Sequence, residues 1–375
     1  MADALFFSRD TKVFVAIQNA AGVEQEVYEI PVLDGFSFSQ ATNATEVTLN
    51  EMSAGSNNSR RGRKMFNDSL APAEWSFSTY MRPFASTGSG TEAASQDGTA
   101  NIHAVEEVLW AMMVGDAAHT TVSGSQAANF TGFTYGTPDL DITFANSNKT
   151  TLGTANIYFV IGSAGETQTV YKIANCCTNE ASIDFDIDGI ATIAWSGFGS
   201  KITEEASAST VTINEGVSTT TNFIRNRLTE LSAASTSPTS TTYALTLTGG
   251  NITISNNMTF LTPETLGIVN EPLGHVTGTR SVSGSFTCYL NSASNSSMDL
   301  FENLIENTST VTNSFNLQFN IGGSSGPRLQ MAMTKCHLEV PTHSIDDVIS
   351  VEANFHALGT DIDSTDELTL KYLAA

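Results

Sequence analysis

A 25-residue segment occurs twice, in related form, in this 375-residue chain. The first copy, NCCTNEASIDFDIDGIATIAWSGFG, begins at Asn175, and the second, KCHLEVPTHSIDDVISVEANFHALG, begins 160 residues later. Aligning Cys177 with Cys336 brings Asp188 onto Asp347 without a gap. Because a repeated segment of this size encodes a repeated piece of structure, we expect the chain to contain two units of the same kind.

Short runs of alternating apolar and polar residues recur along the whole chain, and such alternation is typical of β-strands with one buried face. The clearest runs are KVFVAIQ, GFSFSQ, EWSFSTYM, NIYFVIG, SIDFDIDGIATIAW, YALTLTGGNITIS, SGSFTCYL, SFNLQFNIGG and RLQMAM. Clusters of Gly, Asn, Ser and Thr separate these runs, as turns require. The sequence therefore predicts a mainly β protein.

Helical periodicity is confined to two places. The run NIHAVEEVLWAMM predicts a helix near residues 102–113 whose apolar face would contain Ile102, Val105, Val108, Leu109 and Met112. The run SSMDLFENLIEN predicts a helix near residues 297–307, with Ser296 or Ser297 as its N-cap. The apolar face of this second helix would contain Met298, Phe301, Leu304 and Ile305.

The two halves of the chain share one order of predicted elements. Each has a strand ending in a glycine turn, a second strand, a long loop, a third strand, a short helix, further strands and the repeated segment. The long loops span residues 40–73 and 256–283. We therefore predict two related domains, residues 1–205 and 206–375. Residues 206–240 form a Ser/Thr-rich linker and the opening segment of the second domain.

Both halves of the chain are acidic. The sequence has 16 Lys and Arg against 39 Asp and Glu, which gives a net charge of −23. Because proteins that read nucleic acids need a basic surface to neutralise phosphates, this balance argues against ordinary DNA binding. No apolar run reaches the length of a membrane helix, no signal segment is evident, and the four cysteines fit reduced thiols. We expect a soluble protein made in the cytosol, without membrane insertion.

The stretch DFDIDG is the candidate metal-binding motif. Asp184, Asp186 and Asp188 match the start of a calcium loop, but the twelfth position, where such a loop needs a bidentate Glu, is Trp195. Apolar residues alternate with the three aspartates, which is typical of a strand with two different faces. We therefore predict three carboxylates in a row on one strand face. A calcium-dependent carbohydrate-binding module is an alternative that depends on this motif alone.

No catalytic arrangement stands out in the sequence. The stretch GGSSG at residues 322–326 matches Gly-x-Ser-x-Gly, but it joins two strand-like runs and is better interpreted as a hairpin turn. The histidines lack the spacing of a zinc site, and the pattern around His337 and His343 favours packed or surface residues. Cys176 and Cys177 are adjacent, whereas a redox pair needs CxxC. We predict neither an enzyme nor a cofactor.

Several longer stretches resemble the tail tube proteins of long-tailed bacteriophages, in a two-domain form. They are YEIPVLDGFSFSQATNATEVTLNEM, APAEWSFSTYMRP, NFIRNRLTEL and GHVTGTRSVSGSFTCYL, and the resemblance covers nearly the whole chain. It implies that each domain is a β-sandwich or partial barrel with a short flanking helix. It also implies that inner strands of neighbouring domains join into a barrel around a lumen, and that such rings stack into a tube.

This resemblance suggests roles for the charged residues. Three two-domain subunits would build the ring that six single-domain subunits build, so we predict a homotrimeric ring with pseudo-six-fold symmetry. An acidic wall would repel duplex DNA and let it slide during ejection; we assign this wall to Asp184, Asp186 and Asp188. In the family the long loop reaches the next ring, and cations there would fix the register of stacked rings. The residues predicted to make these contacts are Arg60, Arg61, Arg63, Lys64 and Arg280.

The predicted partners are further copies of the chain and duplex DNA that passes without specific binding. The resemblance adds tape-measure, tail-tip or baseplate, and tail-terminator proteins, in a virion assembled in the host cytoplasm. The alternative is another β-rich virion protein, either capsid-decorating or fibre-associated. Self-assembly separates the two interpretations, because a tube subunit must form rings and stack them.

Overall fold

The computed structural model describes residues 6–18, 22–47, 63–87, 99–115, 119–121, 128–144, 152–162, 168–208, 213–214, 221–235, 241–306, 315–345 and 347–374. Strands dominate this part of the chain, which confirms the predicted mainly β fold. Within these ranges, no helix has both the length and the apolar character needed to cross a membrane.

The described part of residues 1–214 forms fifteen strands and one α-helix, with a short 3-10 helix at Ser8–Asp10. In chain order they are β1 (Thr11–Gln18), β2 (Glu24–Ile30), β3 (Ser37–Glu46), β4 (Met65–Tyr80), β5 (Pro83–Thr87), β6 (Thr99–Ala104), α1 (Glu107–Val114), β7 (His119–Thr121), β8 (Ala128–Phe130), β9 (Phe133–Tyr135), β10 (Asp139–Thr143), β11 (Ala155–Ile161), β12 (Thr169–Asp186), β13 (Thr192–Gly199), β14 (Ile202–Glu205) and β15 (Ile213–Asn214).

The described part of the remaining chain forms eleven strands and a second α-helix, after a 3-10 helix at Asn226–Leu228. They are β16 (Glu230–Ser235), β17 (Thr241–Ala244), β18 (Leu247–Ser255), β19 (Thr259–Leu261), β20 (Gly274–Val276), β21 (Ser281–Tyr289), α2 (Ser297–Glu306), β22 (Phe315–Ile321), β23 (Arg328–Leu338), β24 (Thr342–Ser344), β25 (Ser350–Ala357) and β26 (Thr369–Leu373).

Seven strands of each half pair in the same order. In the first half the order across the sheet is β3, β4, β13, β12, β11, β1, β2. In the second half it is β18, β21, β25, β23, β22, β16, β17. All of these pairs are antiparallel, and each half inserts its α-helix at the same point of the chain order. This agreement supports a duplication, and the domain division at residue 205 stays a prediction.

A β-bulge shifts the alignment of the repeated segment by one residue. Cys176 pairs with Ala155 beside a register shift between β11 and β12, and Cys336 pairs with Phe315 beside the equivalent shift between β22 and β23. Cys176 and Cys336 both lie in the main core, whereas Cys177 lies in a separate small cluster. Cys176 is therefore the counterpart of Cys336, because one extra residue in a strand exchanges its two faces.

Strand β12 joins the two halves. Its C-terminal part pairs with β13 on one edge and with β18 of the second half on the other. A second connection is the pairing of β10 with β26. One cluster of buried apolar side chains extends through both halves, and the rings of Phe185 and Phe319 pack across the division with centroids 5.5 Å apart.

Helix α1 differs from its prediction. It begins at Glu107, and Ile102 instead lies in β6, which pairs with β5. All eight residues of the helix are buried, so it has no exposed face. The five residues of the predicted apolar face are all buried, as expected, but the predicted start near residue 102 was wrong because a helix enclosed on all sides has no exposed polar positions that mark its boundary.

Helix α2 lies close to its predicted position, but its buried face differs. Leu300 and Leu304 are buried, whereas Met298 and Ile305 are 43% and 46% exposed. The carbonyl of Ser296 accepts the first helical hydrogen bond, from the amide of Leu300, which makes Ser296 the N-cap residue.

The two ends of the predicted long loop at residues 40–73 are paired strand. Strand β3 continues to Glu46 and β4 begins at Met65, so the two strands of a hairpin extend into the predicted loop from both sides. The corresponding loop at residues 256–283 contains the small hairpin β19–β20. Residues 322–327 connect the paired strands β22 and β23, which confirms the hairpin interpretation of GGSSG.

Candidate assembly surfaces

A single sheet surface extends across both halves of the chain. Its strands are neighbours in the order β3, β4, β13, β12, β18, β21, β25, β24. One face of this sheet packs on the core through side chains such as Trp75, Trp195, Ile183 and Ile252. The other face is accessible, and we call it the hydrophilic face.

Small polar residues dominate the hydrophilic face. One row, aligned by strand register, consists of Tyr80, Thr192, Asp184, Asn251, Ser285 and Asn354. The next row consists of Ser78, Ala194, Ser182, Thr253, Ser283 and His356. The acidic residues of the hydrophilic face include Glu74, Glu180, Asp184, Asp186 and Glu352. The strand segments that pair in this order contain no Lys or Arg, so the face is uniformly neutral or negative.

Two of the three predicted carboxylates lie on a strand, and the third lies in a turn. Asp184 and Asp186 lie exposed at the end of β12, near the middle of the hydrophilic face, and the buried Phe185 between them confirms the alternation. Asp188 lies beyond the strand, in the turn to β13, so the expected row of three on one strand was wrong for this residue. Its carboxylate is 3.6 Å from Arg227 Nη1, and its amide donates to Asp186 Oδ1.

The hairpin β3–β4 carries the predicted cations at its far end. Arg60 and Arg61 lie outside the described residues. Arg63 is exposed and forms a two-bond ion pair with Glu46, and this pair lowers the pKa of the Glu46 carboxyl. The ammonium group of Lys64 lies over the Phe66 ring, 4.9 Å from its centroid. The end of the hairpin is therefore also apolar, with Val47, Met65 and Phe66 between 42% and 58% exposed.

The loop between β18 and β21 lies beside this hairpin. The amide of Leu70 donates to the carbonyl of Asn270, and the amide of Asn270 donates to the carbonyl of Asp68. Lys201 Nζ is 2.6 Å from Glu271 Oε1. The loop exposes six apolar side chains, namely Leu261, Leu266, Ile268, Val269, Leu273 and Val276. The charge pattern of the loops does not predict this apolar surface, although the stretch LGIVNEPL indicates it.

Arg280 is neutralised within its own chain. Its Nη1 is 2.9 Å from Glu367 Oε1 and donates to the carbonyl of Phe144 at 3.1 Å. The guanidinium also lies 4.8 Å from the centroid of the Phe144 ring. Its side chain is only 15% exposed, and its predicted contact with a neighbouring ring stays a prediction.

The four cysteines lie inside the protein, and one of them contacts a half-buried histidine. All four cysteines are buried and unpaired. Cys177 Sγ is 3.1 Å from His275 Nδ1, while the amide of Leu152 donates to His275 Nε2 at 2.9 Å. Burial lowers the pKa of His275 and raises that of the Cys177 thiol, so both are neutral near pH 7. In the described part of the chain, no three His, Cys, Asp or Glu side chains group together as metal ligands would.

A buried polar chain fixes α1 against the second half. The indole N–H of Trp110 donates to the hydroxyl of Tyr372, and this hydroxyl donates to Glu106 Oε1, both at 2.8 Å. The side-chain amide of Asn256 donates to the carbonyl of Met113 at 2.9 Å. Because these contacts connect α1 to residues near β18 and in β26, the two halves form one body at this junction.

The two ends of the eight-stranded sheet are β3 and β24. Among the described strands, β3 pairs with β4 alone and β24 pairs with β25 alone. A strand at the end of a sheet offers backbone groups to which another chain can pair. These two edges, the hydrophilic face and the two long loops are the candidate assembly surfaces.

Comparison with known proteins identifies the family. No family model matches the chain. The tail tube protein pb6 of Escherichia phage T5 is 31% identical over 372 residues, which cover 96% of this chain and 74% of that protein. Identity at this level over almost the whole chain identifies a structural component of the virion tail rather than an enzyme. The chain belongs to the family of phage tail tube proteins.

Proposed function

We propose that copies of this chain close into rings, that the rings stack into the tail tube, and that duplex DNA passes through the bore during ejection. The observation that carries the proposal is the hydrophilic face, which continues across both halves without a Lys or Arg side chain. In the proposed ring this face lines the bore.

The chemistry of that face suits a conduit. Duplex DNA has about one negative charge per 1.7 Å of its axis, and proteins that hold it neutralise these charges with Lys and Arg. A wall of Ser, Thr and Asn with scattered carboxylates offers no such neutralisation. Asp184 and Asp186 repel the phosphates, and because screening in physiological salt limits charge interactions to about 8 Å, they act only on DNA close to the wall. DNA therefore remains mobile in the bore.

The proposed ring contains three copies with pseudo-six-fold symmetry. The matching pairing order of the two halves supports this number, since each chain then supplies two similar units. Closure of the ring also covers the edges of β3 and β24, which would otherwise invite uncontrolled aggregation.

The two long loops are the proposed contacts between successive rings. Their ends combine exposed apolar side chains with the cations Arg63 and Lys64, to which the sequence adds Arg60 and Arg61. Apolar contact supplies affinity, and cations facing an acidic neighbour fix the register. Tape-measure, tail-tip or baseplate, and terminator proteins are the proposed partners inside the tube and at its ends, after assembly in the host cytoplasm.

Electron microscopy tests the proposal. The purified protein is concentrated and imaged, and tails from infected cells provide assembled tubes for comparison. We expect hollow stacked rings whose end-on views contain three subunits and six lobes. Compact particles without a bore would contradict the conduit and favour a decorating protein. Rings with six copies of the chain would contradict the trimer while leaving the tube intact.

A further inference from the structure

The chain contains one complete example of a junction between its two kinds of unit. The C-terminal part of β12 pairs with β18, with Ser182 opposite Thr253 and Asp184 opposite Asn251. The hydroxyl oxygens of Ser182 and Thr253 are 3.2 Å apart. This internal junction continues the hydrophilic face from the first half into the second without an interruption.

The strand at one end of the eight-stranded sheet corresponds to the C-terminal part of β12. Cys176 and Cys336 occupy equivalent bulges, and the same spacing of 160 residues relates Ser182 to Thr342 in β24. The register agrees, because Ser182 lies opposite Ala194 of β13 and Thr342 lies opposite Glu352 of β25, the strand equivalent to β13. Thr342 is exposed.

The strand at the other end of the sheet corresponds to β18. The related runs EWSFSTYM and GSFTCYL align Phe77 of β4 with Phe286 of β21, and the same alignment relates Glu74 to Ser283. Ser39 of β3 lies opposite Glu74, as Thr253 of β18 lies opposite Ser283. Ser39 is therefore the counterpart of Thr253, and it is exposed.

We infer that β24 of one copy pairs antiparallel with β3 of the next copy, in the register of the internal junction, so that Thr342 of the first lies opposite Ser39 of the second. The inference rests on the proposed ring and specifies its contact. It makes the hydrophilic face continuous around the bore, since the pairing between copies repeats the pairing within a copy.

Helix α2 provides independent support. Its counterpart α1 is completely buried, in part by the second half through Asn256 and Tyr372. On α2, by contrast, Met298 and Ile305 remain exposed, and Phe301 packs edge-on against His343 of β24, with ring centroids 4.6 Å apart. The first half of a second copy, placed on β24 as the second half is placed on β12, would cover this apolar stripe.

Cysteine cross-linking tests the register. Opposed residues of an antiparallel pair have Cα atoms about 4.5–5.5 Å apart, which is within the range of a disulfide. The double variant Ser39→Cys with Thr342→Cys is assembled, oxidised with oxidised glutathione and separated on a non-reducing gel. We expect covalent dimers and trimers that a reductant converts back to monomers. The four native cysteines are buried, so wild-type protein provides the background.

Two matched variants control for chance contact. The double variant Ser182→Cys with Thr253→Cys places the same pair in the internal junction and is expected to form a disulfide within one chain, without larger species. Ser39→Cys with His343→Cys moves one partner to the opposite face of the strand, and no cross-link is expected. A cross-link that is as strong in this shifted variant would overturn the register.

The outcomes separate the inference from the proposed function. If electron microscopy shows rings and the internal pair oxidises, but the double variant at Ser39 and Thr342 stays monomeric on the gel, the register is wrong and the ring stands. If wild-type protein forms no rings even in tails from infected cells, the proposed function fails and the inference fails with it. A map of the wild-type ring shows directly which strands meet, and it decides the matter should the double variant not fold.

Discussion

Trp110 and Tyr372 are 262 positions apart in the chain, yet the indole N–H of Trp110 donates a 2.8 Å hydrogen bond to the Tyr372 hydroxyl in the core. The same hydroxyl donates to Glu106, and all three side chains are fully buried. This contact connects the helix of the first half to the last strand of the second. Loss of this contact should therefore lower the stability of both halves.

The first prediction concerns this hydroxyl. Tyr372→Phe leaves the Trp110 N–H and one Glu106 oxygen buried without a partner, and we expect it to lower the free energy of unfolding by about 1–3 kcal/mol. Denaturant titration of the unassembled protein measures the change. Tyr289→Phe is the matched control, because Tyr289 is 40% exposed and its change should stay within about 0.5 kcal/mol. Equal effects of the two variants would contradict the assigned role of the buried hydroxyl.

The second prediction concerns pH. Burial raises the pKa of Glu106 to about 7, although the Tyr372 hydroxyl and the Arg82 amide and charge favour its ionised form; the His103–Glu107 pair lies beside it. Between its ordinary pKa of 4.5 and 7, the folded protein binds a proton that the unfolded chain does not. The resulting stability is present at low pH and is lost as the pH rises through 7.

Relative to Glu106→Gln, we therefore expect the wild-type protein to gain up to roughly 3 kcal/mol of unfolding free energy when the pH falls from about 8 to about 5. Subtracting the unfolding free energy of the variant from that of the wild type at each pH removes the contribution of the other carboxylates. Unfolding titrations at several pH values measure the difference. A difference that does not change with pH would show that Glu106 stays ionised in the folded protein.

The third prediction concerns Gly197, which packs closely against neighbouring strands in the first half. Gly197 of β13 lies opposite Trp75 of β4, and a Cβ at this position would lie 2.0 Å from the carbonyl oxygen of Cys177 and 2.6 Å from the indole. We expect Gly197→Ala to destabilise the protein by roughly 3 kcal/mol, since neither the backbone nor the enclosed ring can move. Gly274→Ala is the control, because no atom lies within 4 Å of its Cβ position. Thermal unfolding of both variants checks the difference.

The fourth prediction concerns the hydrophilic face. Replacing Asp184, Asp186 and Asp188 with Asn should leave folding and ring formation intact, because all three carboxylates are exposed, but should slow DNA release several-fold at low ionic strength. Release from reconstituted particles, followed by dye binding, measures the rate. The double variant Asp361→Asn with Glu204→Gln is the control, because it also removes negative charge but changes exposed acids that lie outside this face. If the triple variant fails to fold, these residues support the turn rather than the wall.

The fifth prediction concerns ring stacking. Leu266 is fully exposed at the end of its loop and Ile268 is 66% exposed, so changing both to Ser should not alter the stability of the unassembled protein. We expect it to weaken stacking, so that single rings predominate where the wild type forms tubes. Electron microscopy at matched concentration compares the two. Ile362→Ser, at another fully exposed apolar residue, should leave the tubes unchanged. Equal loss in both variants would remove the loop from the proposed contact.

Much of the local structure was predictable because it depends on short-range patterns. Alternation placed Ile183 and Phe185 inward and Asp184 and Asp186 outward, as the structure shows. The same pattern failed at Asp188, where the strand ends in a turn. Helical periodicity predicted α1 and its buried residues, but it placed the start near Ile102 rather than at Glu107, because enclosure on every side removes the exposed polar positions that mark a helix boundary.

The sequence by itself determined which residues of each strand face the core and that the order of elements repeats, since both depend on neighbouring positions along the chain. Only the tertiary structure decided that β12 pairs with β18, that Cys176 rather than Cys177 matches Cys336, and that β3 and β24 end the shared sheet. Antiparallel pairing satisfies any two extended backbones equally well, so the partners are selected by side chains that meet only after folding. Phe185 against Phe319 and Trp110 against Tyr372 are two such contacts between the halves.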